Sequence, residues 1–298
     1  MVKWRGREKS DNIEDRRGAA GAAGMGALAF LLIRFVLSRF GIVGVVVLVG
    51  GYFALRQVGI DPLALLNGQT AMVSGGQSRE LSAEEEQAGD FVSVMLRETE
   101  RTWGQRFAAA GSDYVEPGLV LFSQGTQSGC GPASSAMGPF YCPADRKIYL
   151  DTAFFDELAR RFGAVGDFAA AYVVAHEVGH HVQTITGISD DVRQRQAAVG
   201  EVQRNALQVR MELQADCYAG IWAHDADRTA GILEPGDIEE GLRAASAIGD
   251  DALQRQAGAE VRQETFTHGA SDQRVRWFTI GYREGSVAAC DTFRTDKL

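Results

Sequence analysis

"AYVVAHEVGHHVQ", residues 171–183, carries His176, His180 and His181, three of the chain's five histidines, with Glu177 directly after the first. Positions i and i+4 of a helix share one face about one turn apart. His176 and His180 of this H-E-x-x-H pattern can therefore turn two imidazoles toward one zinc ion. Glu177 lies beside that face, placed to take a proton from an attacking water as a general base. The preceding "AAAYVVA" is the apolar run a buried helix needs to hold such ligands rigid. His181, one residue past His180, points about 100° away and reads as a packing or hydrogen-bonding residue.

Two histidines do not complete a catalytic zinc site, which takes a third protein ligand and leaves one position open. A third histidine six residues after the second, behind a glycine three residues after it, is excluded: those positions hold Thr186 and Gln183. The next candidate is "RMELQADCYAG", residues 210–220, where Glu212 and Asp216 are again spaced i and i+4. Glu212 is the expected ligand. Asp216 is then the carboxylate that orients a ligand histidine through its free N–H, although spacing alone lets either reach. Met211, Leu213, Ala215, Cys217 and Tyr218 surround the pair with apolar residues, where carboxylates need partners.

Elsewhere the chain reads as α+β, mainly helical. Ser82 followed by Glu85 is a capping-box pattern that starts a long helix over 83–110. Short apolar or alternating runs at 118–123, 138–143 and 147–151 read as strands of a small β-sheet. Helical patterns follow at 167–184, where Asp167 can cap, and at 190–225, 236–248 and 271–284. "RKIYLD", residues 146–151, is a candidate edge strand on which an extended substrate could lie.

The first 24 residues hold six Lys or Arg against four Asp or Glu, and residues 25–56 are strongly apolar. Phe40–Leu55 runs uncharged, about 24 Å as a helix, and Arg39 can snorkel to lengthen the span. The basic lead and the positive-inside rule predict one transmembrane anchor at 25–56, with a cytoplasmic tail at 1–24. A linker at 57–82 and an extracytoplasmic domain at 83–298 follow. All four cysteines fall in the exported part. Cys130 and Cys142 enclose a turn-rich loop that a disulfide can close, which leaves Cys217 to pair with Cys290. A net charge of −9 argues against a nucleic-acid partner.

"KWRGREKSDNIEDRRG", "GPFYCPADRKIYLD", "HEVGHHVQ" and "ELQADCYAGIWA", in that order, resemble the YpfJ-type neutral zinc metallopeptidases of bacteria. The resemblance runs nearly the whole length. It implies a zincin-like domain, Zn²⁺ as cofactor and a peptide or protein substrate. "ExxAD" is also similar to the ligand motif of gluzincin-like membrane peptidases of the HtpX and CAAX prenyl-protease types, which implies Glu212 as the third ligand. Those relatives carry a later His followed by Arg. "THGASDQRVRWF", with His268 and Arg274, is similar in outline, with Gly269 where they have proline. His268 is thereby a candidate for stabilising the oxyanion of the transition state, if the fold returns it to the cleft. The same sequence would also suit a zinc-stabilised envelope interaction protein that processes nothing, and zinc without turnover distinguishes that case. Oligomeric state is not written in the sequence.

Overall fold

Ser82 and Glu85 close the capping box they spell: Ser82 Oγ accepts the Glu85 N–H at 3.3 Å, and Glu85 Oε2 accepts the Ser82 N–H at 2.8 Å. Helix α1, Ala83–Ala109, starts there and buries Phe91, Val94, Met95, Leu96 and Trp103. This computed structural model describes residues 1–18, 79–162 and 166–298. Strands β1 (Ile13–Asp15), β2 (Gly118–Phe122), β5 (Phe140–Cys142) and β6 (Lys147–Asp151) form a sheet in the order β1-β2-β6-β5. β1, β2 and β6 run parallel, while β5 is antiparallel to β6. The period-2 alternation of a strand sends Leu119, Leu121, Ile148 and Leu150 into the helical core. Val120, Phe122 and Tyr149 pack on the opposite face with Cys142 and Phe140. β3 (Gly125–Ser128) and β4 (Gly131–Ser134) form a separate hairpin.

Helices α2 (Ala153–Phe162), α3 (Asp167–Ile185), α4 (Ile188–Ala197), α5 (Glu201–Asp225), α6 (Asp237–Ala247), α7 (Asp250–Gln256) and α8 (Ser271–Glu284) complete the described chain. α3 is buried along nearly its whole length between the sheet, α1, α5 and α6. Its cap is Gly166 and not Asp167. Asp167 lies in the first turn, and its carboxylate accepts the Val2 N–H at 3.0 Å. The helical pattern expected over 190–225 breaks at Gly200, which separates α4 from α5. Where α3 crosses α5, a Cβ on Gly179 would lie 3.1 Å from the Ala215 backbone, so the glycine sets the distance between the two helices. Disulfides join Cys130 to Cys142 and Cys217 to Cys290, the expected pairs.

The expected boundary at residue 83 does not hold. Residues 1–18 belong to the domain: Val2 is in the core, Trp4 meets Phe91 edge-on at 5.7 Å, and β1 pairs with β2 from Ile13↔Leu119 to Asp15↔Leu121. The basic residues that read as a cytoplasmic flank are used within the fold. Arg7 pairs with Glu98 at 3.2 Å, Arg16 with Glu14 at 2.8 Å, and Arg17 with Asp15 at 2.6 Å. Gly18 C=O accepts the Arg79 N–H at 3.2 Å. The expected anchor at 25–56 and most of the linker lie outside the described residues. Among the described residues, no helix is long and apolar enough to cross a membrane. Strand β1, inside the stretch expected as a separate tail, is hydrogen-bonded to β2, so the tail and the domain are one folded unit.

Candidate metal centre

α3 and α5 face each other across the Gly179–Ala215 contact, and their ligand side chains meet one turn away. Glu212 Oε2 lies 3.2 Å from His176 Nε2 and 3.4 Å from His180 Nε2. Bonds of 2.0–2.1 Å to a tetrahedral zinc separate neighbouring ligand atoms by about 3.3 Å, which the two Glu212 contacts match, and all three donors lie within 4.8 Å of one another. All three are at least four-fifths buried, and Gln208 Nε2 steadies the other Glu212 oxygen at 2.8 Å.

Each histidine is turned by a partner on its far nitrogen. His176 Nδ1–H donates to Asp216 Oδ1 at 2.9 Å. Asp216 is fully buried; it accepts Arg274 Nε at 2.8 Å and Nη2 at 2.9 Å, and the Tyr172 hydroxyl as well. His180 Nδ1–H donates to Gln183 Oε1 at 2.9 Å. Burial works against protonating His176, but Asp216 and Glu212 outweigh it and hold its pKa up at about 10 in the metal-free protein. His180 is raised for the same reason, chiefly by Glu212 acting against burial. The Glu212 carboxyl, although buried, is held well below its ordinary range by the two imidazoles. A divalent cation would replace the protons stored here.

The site opens into a cleft of about 590 Å³ lined by Glu177 and the three candidate ligands. Met137, Phe140, Tyr141 and Phe154 line it, as do Val192 and Gln196 of α4. β5, not β6, is the edge strand beside the cleft. "KIYLD" is enclosed between β2 and β5 and cannot accept a further strand, which corrects the expectation for it. His268 does return to the cleft. Its Nδ1 lies 3.1 Å from Asp250 Oδ1, and that hydrogen bond raises its pKa against the effect of burial. The loop is fixed by the other Asp250 oxygen, which accepts the N–H groups of Thr267, His268 and Gly269 at 2.7, 2.6 and 3.0 Å.

His181 stands apart from the metal-facing side. Its Nε2–H donates to the Val115 carbonyl at 2.6 Å, and its Nδ1 accepts the Tyr141 hydroxyl at 3.1 Å. Burial pushes its pKa down to about 4, so it stays neutral. Sequence reading missed Tyr172, Gln183 and Asp250. The first two carried a usable signal, since Tyr172 is i−4 from His176 and Gln183 is i+3 from His180. Asp250 carried none, being brought to His268 only by the packing of α7.

The family described as "Putative neutral zinc metallopeptidase" matches residues 2–293. The chain belongs to this family. Its cofactor is accordingly Zn²⁺, and the donor set of two imidazoles and a carboxylate fits that ion. The uncharacterized protein YpfJ of Escherichia coli K12 is 48% identical over 294 residues, covering 98% of this chain and 99% of that protein. An uncharacterized protein of Mycobacterium tuberculosis H37Rv is 48% identical over 195 residues, covering 62% of this chain and 65% of its own. No solved structure matches the chain.

Proposed function

We propose that this zinc metallopeptidase is an endopeptidase that hydrolyses extended segments of envelope proteins or peptides. The observation that carries the reading is the convergence of His176, His180, Glu212 and Glu177 in one cleft that is also lined by β5, the edge strand among the described residues. Zinc held by His176, His180 and Glu212 would acidify a water and polarise a carbonyl. Glu177 takes the proton of the attacking water and delivers it to the leaving amine. His268, held by Asp250, offers its Nε2–H to the oxyanion that develops on the carbonyl. The substrate backbone adds to β5 as a further strand, and the apolar lining of Met137, Phe140 and Phe154 receives a large apolar side chain beside the scissile bond.

For location, the reading is an extracytoplasmic domain tethered to the bacterial inner membrane by the apolar residues 25–56, with residues 1–18 on the same face as the domain. The two disulfides support an oxidising compartment, and the β1–β2 pairing supports a shared face.

Glu177→Gln tests the chemistry. The variant should keep one zinc per chain and lose about 10²–10⁴-fold in peptide cleavage, the usual contribution of a general base. Wild-type turnover in that variant would remove Glu177 from its role. Zinc-loaded wild-type protein that cleaves no member of an unfolded-protein or peptide library would replace the endopeptidase with the interaction-protein reading.

A further inference from the structure

His176 is oriented by a carboxylate, whereas His180 is oriented by a chain of neutral amides that ends at a disulfide. Gln183 Oε1 accepts the His180 Nδ1–H at 2.9 Å. Gln183 Nε2 donates to Met211 C=O at 2.7 Å and to Gln214 Oε1 at 3.1 Å. Gln214 Nε2 donates in turn to Cys290 C=O at 3.1 Å, and Cys290 is bonded to Cys217 of α5. Gln183 and Cys290 are fully buried and Gln214 nearly so, so water cannot substitute for any member.

The chain has a direction. A side-chain amide can present either its oxygen or its NH₂ to a neighbour, and only the oxygen accepts from Nδ1–H and leaves Nε2 free for a metal. Turning Gln183 over would set its oxygen against two acceptors, Met211 C=O and Gln214 Oε1, and its NH₂ against His180. Turning Gln214 over would set its oxygen against Cys290 C=O. Each buried donor and acceptor thus fixes the next, and the last fixed point is a carbonyl held by the Cys217–Cys290 bond.

We propose that Gln183 and Gln214 are positioning residues that make the Cys217–Cys290 disulfide part of the metal centre, setting the tautomer of His180 and thereby how tightly zinc is held. The proposal rests on His180 being a zinc ligand. Residues that orient a ligand typically account for 10–100-fold in metal affinity.

The test is the rate at which zinc passes from the full-length, zinc-loaded protein to an excess of a chromophoric chelator. Gln214→Leu leaves His180 and both cysteines unaltered and nearly keeps the volume of the side chain. It should speed zinc loss at least 10-fold with secondary structure unchanged. Cys217→Ala with Cys290→Ala, which leaves the Cys130–Cys142 bond intact, should speed it similarly. Combining them with Gln214→Leu should add little, because both break the same chain. Unchanged zinc loss in folded Gln214→Leu overturns the proposal, as do fully multiplicative effects in the combined variant. If the cysteine variant does not fold, Gln214→Leu alone decides. His180→Ala separates the two layers: zinc held at wild-type strength in that variant means that the ligand assignment has failed, not the relay.

Discussion

Asp216→Asn removes one charge and almost no volume, at a residue that touches no solvent. Its two oxygens accept from four donors: Arg274 Nε and Nη2, Tyr172 Oη and His176 Nδ1. An asparagine keeps one acceptor and turns an NH₂ toward either the guanidinium or the His176 side. The Arg274 guanidinium, only 2% exposed, then loses the carboxylate it pairs with. Leaving one member of a buried ion pair behind costs about 3–5 kcal/mol, which should appear as a lower denaturant midpoint at unchanged slope. His176 also loses the partner that fixes its tautomer, so zinc affinity by chelator competition should fall about 10–100-fold. The two effects can be separated. Asp216→Leu combined with Arg274→Met removes the whole pair, which should recover much of the stability but none of the zinc affinity. A single variant within about 1 kcal/mol of wild type and with unchanged affinity would refute the role given to Asp216. So would recovery of zinc binding in the double variant.

Replacing residues 19–78 with a short Gly/Ser linker should leave a folded, zinc-binding protein, because Gly18 and Arg79 are already hydrogen-bonded. Shortening the closed loop from 60 residues to about four should add roughly 2 kcal/mol of stability. If this chain aggregates while 79–298 alone folds, residues 1–18 are not part of the domain. The raised pKa of His176 stabilises the metal-free protein fully below the unfolded value near 6.5, and this stabilisation fades as pH rises toward about 10. Zinc needs the same nitrogens deprotonated, so the increase in Tm on adding zinc should grow across that window; a flat increment refutes the ligand assignment. Gly179→Ala gains helix propensity but presses a methyl against the Ala215 backbone. Zinc affinity should drop more than stability does, as α3 and α5 move apart; equal or absent losses would show that the crossing distance does not govern the site.

Much of the site was legible because its logic is local. The i, i+4 spacing of His176 and His180, and again of Glu212 and Asp216, puts each pair on one face whatever the rest of the chain does. The long capped helix and the apolar strands were legible for the same reason. What was not legible depends on distant pairing. Ile13–Asp15 is too short and too charged to read as a strand, and becomes one only because β2 offers an open edge. The basic residues around it looked like a topological signal because their acidic partners, such as Glu98, lie far along the sequence. β5 is three residues long, less apparent than "KIYLD", yet it occupies the edge because β6 is claimed from both sides.

The histidine that faces away from the metal site has a consequence for how the enzyme would meet its substrates. His181 ties α3, which carries the proposed general base Glu177, to Tyr141 on β5 and to the Val115 carbonyl just before β2. The surface that would grip the peptide backbone and the surface that would cut it are therefore one jaw, braced by an uncharged ring at its hinge. If the substrate adds to β5 as proposed, its register against the metal would be set before it arrives. Differences between substrates should then be felt where their side chains meet the rest of the cleft lining, Met137 and Phe154 as well as Val192 and His268.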